Sequence, residues 1–147
     1  MRELCLLTEN SIARQIVDAA FQIHVALGPG LLESVYQHIL AAELADRGLR
    51  VELQRPIPIL YRGLEFEIGF RADIVVENLV IVEIKSVEAI HPVHKKQLLT
   101  YLRLSDKRLG LMINFNVELI KDGISRVVNG LTDEKHISRQ GAESQSS

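Results

Sequence analysis

The chain has 147 residues, 47% hydrophobic and 24% charged, the composition of one ordinary globular domain with apolar material for a single core. Lysine and arginine total 17 against 19 acidic residues, so the net charge of -2 excludes a general attraction to nucleic acid and leaves only a local basic patch for such contacts. The lone cysteine, Cys5, excludes an intramolecular disulfide framework and cysteine-based zinc sites; with no apolar run near ~20 residues and an N-terminus around Glu3 without secretory character, it points to a cytoplasmic protein.

Ile12, Ile16, Ala19, Ile23 and Leu27 recur at spacings of three and four, one face of an amphipathic helix closed by Gly28-Pro29-Gly30. A second helix is expected from about Leu31 to Arg47, with Leu32, Val35, Tyr36, Ile39, Leu40 and Leu44 as apolar contacts and Gly48 as its left-handed stop. The period then changes. Val51, Leu53, Ile57, Ile59 and Tyr61 alternate as strand residues, and Pro56 and Pro58, which lack ladder donors, push that strand to a sheet edge or a bulge. Tyr61-Arg62-Gly63 turns the chain.

From Leu64 the alternation is strict: Leu64, Phe66, Ile68, Phe70, Ala72, Ile74 and Val76 share one face, and Glu65, Glu67, Arg71 and Asp73 the other. In the next strand Val80, Val82 and Ile84 share a face, with Glu83 and Lys85 opposite. A hairpin whose facing residues sum to 156 leaves Glu77, Asn78 and Leu79 as the loop. It pairs Ala72 with Ile84 and Ile74 with Val82, and sets Asp73 opposite Glu83 and Arg71 opposite Lys85. Directly opposed side chains lie ~5 Å apart at Cβ, so Asp73 and Glu83 could share a cation, without which they would repel.

Val93 to Leu104 reads as a helix after His91-Pro92, with His94, Gln97 and Tyr101 along one stripe and Leu98, Leu99 and Leu102 on its buried side. Leu109 to Phe115 is a continuous apolar run, as in a strand covered on both faces, and the strand–helix–strand order suggests a parallel crossover in a mixed sheet. Val117–Ile120 and Ile124–Val128, around Lys121-Asp122-Gly123, read as a closing hairpin. Residues 1–131 thus form one domain, and the polar tail from Thr132 is expected to be disordered.

The chemistry concentrates between Arg71 and Tyr101, where Asp73, Glu83, Lys85, Gln97 and Tyr101 read as D, E-x-K and Q-x-x-x-Y. Mg²⁺ takes oxygen ligands, usually one or two carboxylates plus water and phosphate oxygens, and a nearby ammonium can position a nucleophile or neutralise phosphate charge. Two carboxylates and a lysine on adjacent strands therefore point to phosphodiester hydrolysis. The pattern also leaves open a solvated hairpin face on which Lys85 simply pairs with Glu83 or Asp73. No G-x-x-x-x-G-K-[S/T] loop, G-x-S-x-G elbow or paired C-x-x-C offers another chemistry.

The order helix glutamate, D, E-x-K, Q-x-x-x-Y resembles the PD-(D/E)XK nuclease superfamily in its RecB-like branch, and Gly30-Leu31-Leu32-Glu33-Ser34-Val35-Tyr36 matches the G-x-x-E-x-x-Y signature of a family of small bacterial and archaeal proteins within it. The likeness runs from about Ile12 to Val128, with one departure: Ala72 stands where a proline often precedes the aspartate. It implies an α/β restriction-endonuclease-like core, a mixed sheet flanked by helices in α-α-β-β-β-α-β order with a C-terminal hairpin. It further implies Asp73 and Glu83 as ligands of Mg²⁺ or Mn²⁺, Glu33 joining them, Lys85 as the catalytic lysine, and Gln97 with Tyr101 in support. Lys95, Lys96, Arg103, Lys107 and Arg108 form the expected contact with nucleic acid, most naturally DNA. The alternative is a non-catalytic module that keeps the fold and binds nucleic acid or a protein; a homodimer through the exposed part of the sheet is compatible with either.

Overall fold

The computed structural model describes residues 7–131; Cys5 and the tail from Thr132 lie outside the described residues. Helix α1 (Glu9–Leu27) starts where Thr8 caps it: the Thr8 hydroxyl accepts from Ser11 N–H (3.1 Å) and the Ser11 hydroxyl from Thr8 N–H (2.9 Å). Its core face is the expected one, with Ile12, Ile16, Ala19 and Ile23 buried, but Leu27, in the last turn, is exposed. Helix α2 (Glu33–Asp46) begins two residues later than its pattern suggested. Tyr36, Leu40 and Leu44 are buried, whereas Leu32, which caps the helix from outside, and Val35, in its first turn, are exposed.

Five strands follow in one sheet, in the spatial order β1 (Val51–Tyr61), β2 (Leu64–Val76), β3 (Val80–Lys85), β4 (Leu109–Asn114) and β5 (Ile124–Val128). Only β3 and β4 run parallel, joined by helix α3 (Pro92–Ser105), and the other neighbours are antiparallel. As the two prolines require, β1 is an edge strand with an irregularity between Ile57 and Ile59. The closing hairpin is β4 with β5; Val117–Ile120 is not a strand, and the chain instead passes through a short 3₁₀ turn (Ile120–Gly123) before β5. Residues Ile120 and Phe115 are buried there, and His24 of α1 bonds its ring Nε2 to the Val117 carbonyl (2.8 Å), so tertiary contacts take the place of a ladder.

The sheet is covered on both faces. Beneath α1 and α2 lie Ile74, Val76, Val80, Val82, Ile84, Leu109, Leu111 and Ile113; beneath α3 lie Val75, Ile81 and Met112, packed on Leu98 and Leu102. Ala72 joins the α3 side rather than the face of Ile74, a break in the strict alternation that coincides with the end of the β2–β3 ladder. Helix α3 comes close because Gly110 lacks a Cβ, which would sit only 3.0 Å from the Leu98 side chain. Six-residue β3 supports only the last part of thirteen-residue β2, so the β1–β2 ribbon extends past the sheet and leaves Leu60, Tyr61, Leu64 and Phe66 exposed despite their regular pattern.

Candidate active site

The β2–β3 register is the one with facing residues summing to 156: Ile74↔Val82, Val75↔Ile81 and Val76↔Val80, with Glu77, Asn78 and Leu79 as the loop. The ladder ends there. The expected continuation, Asp73 opposite Glu83, Ala72 opposite Ile84 and Arg71 opposite Lys85, is not part of the ladder; on their other sides Arg71 pairs with Pro56 of β1 and Lys85 with Asn114 of β4. Where the next rung would be, side chains replace backbone: Ile84 N–H donates to Asp73 Oδ2 (2.9 Å) and Asp73 N–H donates to Glu83 Oε2 (3.2 Å). The two carboxylates thus bridge β2 and β3 where the backbone ladder has ended.

Burial of these acids is electrostatically unfavourable as they stand. Desolvation first, and the negative charge of Asp73 second, push the Glu83 carboxyl up to about 8. Desolvation also raises Asp73, against the pull of its bonds from Ile84 N–H and the Gln54 amide, and the charge of Glu33 adds to the rise. The solvated-hairpin reading fails here, since Glu83 is only 9% exposed. Nor is Lys85 used up in an ion pair: none of those among the described residues includes it, although its positive charge reaches Asp73, Glu83 and His94.

Glu33 arrives from the opposite layer. The loop before it is held by fully buried Tyr36, which stacks on Phe115 (centroids 4.2 Å apart), donates its hydroxyl proton to the Gly28 carbonyl and accepts from Leu31 N–H (3.2 Å). Gly30, at φ +104, takes a conformation a side chain would disfavour. Ser86, next after Lys85, closes the join: its N–H donates to Glu33 Oε2 (3.1 Å) and its hydroxyl to the Leu31 carbonyl (2.8 Å). The glycine, glutamate and tyrosine of the G-x-x-E-x-x-Y stretch thus act together to deliver one carboxylate to the end of β3. Beside it opens a groove of about 540 Å³ lined by Gly30, Leu31, Leu32, Glu33, Ser34, Ser86 and Asn116.

From α3, Tyr101 stacks on Phe70, and burial, then the charge of Glu83, raise its hydroxyl. His94 accepts from His91 N–H through Nδ1 (3.2 Å), and burial, then the Lys85 charge, lower its pKa. Gln97 is exposed on the turn between them, with no side-chain hydrogen bond among the described residues.

The expected basic cluster does not stay together. Helix α3 runs back along the sheet, so Lys95 and Lys96 are exposed near its site end and Arg103 is in its last turn. Lys107 and Arg108 precede Leu109, whose partner Val80 is five ladder steps from the Lys85–Asn114 rung, roughly 16 Å away at ~3.3 Å per residue. Lys107 is buried, its Nζ donating to Asn78 Oδ1 (3.2 Å), and Arg108 grips Glu9 with two bonds of 3.2 Å.

Three contributors carry little or no signal in the sequence. Asn114 is 3% exposed; its Oδ1 accepts from Val87 and Asn116 N–H and its Nδ2 donates to the Val87 carbonyl, fixing the segment after Lys85. Its one signal is a polar residue closing an otherwise apolar strand. Ser86 and Gln54 have none beyond adjacency to Lys85 and to the proline-rich edge.

The donor set suits a hard dication: a buried carboxylate, Glu83, against a half-buried one, Asp73, whose repulsion a cation would relieve, with the exposed Glu33 contributing further negative charge. Among the described residues no three His, Cys, Asp or Glu side chains are grouped so as to hold a metal ion between them. No described helix is long and apolar enough to cross a membrane. In comparison with known proteins, the family model of the PD-(D/E)XK nuclease superfamily matches residues 10–127, a span that contains every element described above except the first residue of α1 and the last of β5. No curated protein and no solved structure gives a match.

Proposed function

Because the chain belongs to the PD-(D/E)XK nuclease superfamily and has its restriction-endonuclease-like mixed sheet flanked by helices, we propose that it hydrolyses phosphodiester bonds in nucleic acid, with DNA as substrate. The observation that carries this reading is the end of the β2–β3 ladder, bridged by the Asp73 and Glu83 carboxylates beside an ammonium, Lys85, that makes no ion pair among the described residues. Asp73 and Glu83 would hold Mg²⁺ or Mn²⁺, with Glu33 joining from α2. Such an ion, when bound, polarises a phosphate and acidifies a water.

The chain's own residues supply the rest. Lys85 orients the attacking water or stabilises the extra negative charge on the phosphate as the bond to the attacking oxygen forms. Glu33, held by Ser86 N–H, accepts hydrogen bonds from waters beside the two carboxylates. Tyr101 and Gln97 line the α3 side, and Lys95 and Lys96 meet the phosphates flanking the scissile one. What supports the RecB-like branch is the order of motifs in the sequence, with Gly30, Glu33 and Tyr36 in G-x-x-E-x-x-Y spacing ahead of Asp73, Glu83 and Lys85.

The test is cleavage of labelled single-stranded, duplex and branched DNA and of RNA, with Mg²⁺ or Mn²⁺, by wild type, Lys85→Ala and Asp73→Ala. Metal-dependent cutting by wild type, lost in both variants, is the expected result; removal of one preorganised charge-stabilising group typically costs 10²–10³-fold. Binding without cutting by wild type would refute catalysis and leave a nucleic-acid-binding module.

A further inference from the structure

Resting on that reading of the metal site, we propose that Gln54 and Gln37 are positioning residues, a two-amide relay that fixes the Asp73 carboxylate for a bound cation and ties helix α2, the carrier of Glu33, to it. Gln54 Nε2 donates to Asp73 Oδ1 (3.2 Å) and to Gln37 Oε1 (3.0 Å). The polarity is forced: an ionised carboxylate only accepts, so the amide nitrogen must face Asp73, and its second hydrogen goes to the Gln37 oxygen. Gln37 is 7% exposed and lies four residues after Glu33, hence on the same stripe of α2.

The backbone is bent to make this contact. The β1–β2 partners run Leu53↔Ile74 and then Arg55↔Ala72, so Gln54 and Asp73 leave the ladder together. Gln54 has φ +52 inside a strand, a left-handed conformation that a non-glycine residue keeps only where its surroundings enforce it. Its side chain is exposed, so packing is not what enforces it. With Oδ1 held by Gln54 and Oδ2 by Ile84 N–H, the carboxylate has one bond on each oxygen, is locked in rotation, and keeps a lone pair on each oxygen for a metal.

Removal of a hydrogen-bond partner from a ligating side chain typically weakens metal affinity 10–100-fold. The experiment is Mn²⁺ titration of the full chain, followed by electron paramagnetic resonance, with Gln54→Leu, Gln54→Gly, Gln37→Leu and the Gln37→Leu/Gln54→Leu double variant, and melting temperatures measured alongside. Both Gln54 variants should bind Mn²⁺ about 10–100-fold more weakly, Gln54→Gly without loss of melting temperature because glycine is at ease at that φ. Gln37→Leu should weaken binding less, and the double variant no more than Gln54→Leu alone, as one relay requires. Wild-type affinity in both Gln54 variants, or losses that multiply in the double, would overturn the relay. A wild type that binds no Mn²⁺ overturns the metal site and the relay with it, whereas one that binds but does not cut overturns only the nuclease reading, the affinities still deciding the relay.

Discussion

Glu83→Gln should stabilise the metal-free protein, and increasingly so as pH rises. The folded-state carboxyl is pushed up to about 8 from an ordinary 4.5, so between those values the folded protein binds the proton that the unfolded chain has released. The unfolded state then binds fewer protons, and stability falls with rising pH across that window. From pH 5.5 to 8 the linkage amounts to about 3 kcal/mol as an upper bound, because water reaching the carboxylates relaxes the charged form. Glutamine abolishes the titration yet still offers Asp73 N–H an oxygen acceptor. The assay is urea or thermal unfolding in a chelator at several pH values, read as the difference between variant and wild type so that other titrating groups cancel. At a few °C per kcal/mol for a domain of this size, the difference in melting temperature should widen by up to about 10 °C over that range. Added Mg²⁺ should recover the loss in wild type alone, since the cation replaces the proton. A difference between the two proteins that stays constant with pH would refute the argument that burial, with the Asp73 charge beside it, holds Glu83 protonated.

Tyr36→Phe keeps the stack on Phe115 but deprives the Gly28 carbonyl and Leu31 N–H of their partner, which should lower unfolding free energy by about 1–2 kcal/mol in denaturant titration. Cleavage should fall by more than that loss of folded protein explains, because Glu33 is no longer delivered; unchanged activity would separate the tyrosine from the site. Lys95→Ala/Lys96→Ala should reduce the slope of log affinity against log salt by about 0.9 for each duplex phosphate that the protein no longer neutralises, in a fluorescence-anisotropy titration. Arg108→Ala should leave that slope as it is and weaken the fold instead through loss of the Glu9 pair, and a reversed outcome would move the nucleic-acid path to the other end of the sheet.

Some of this architecture follows from local rules. The three-and-four spacing from Ile12, the glycine-proline-glycine break and the positions of Pro56 and Pro58 set helix, loop and edge strand through backbone constraints that act on neighbouring residues. Alternation limits the β2–β3 register to even sums, because a slip of one residue would turn the Ile74, Val76, Val80 and Val82 side chains out of the core, and the three-residue loop Glu77-Asn78-Leu79 selects 156 among them. That register by itself brings Asp73 and Glu83 together, and the motif order locates Glu33 and Lys85.

What only the tertiary structure decided depends on packing between distant segments. Exposure of Leu64 and Phe66 reflects how short β3 is, a property of a different strand. Val117–Ile120 has the pattern of a strand, but Ile120 is drawn into the core and His24 bonds the Val117 carbonyl, so the segment bends and leads into the 3₁₀ turn Ile120–Gly123 instead of a ladder. The basic residues of α3 and β4 are close in sequence, yet an antiparallel return of the helix carries Lys107 and Arg108 to the far end of the sheet. Gln54, Gln37 and Asn114 are hard to see in the sequence for the same reason. An amide signals nothing by periodicity, and its role exists only once separate elements have set its partners within 3.2 Å. Sequence determined which groups carry charge and which faces are buried; the fold decided which of those charges meet.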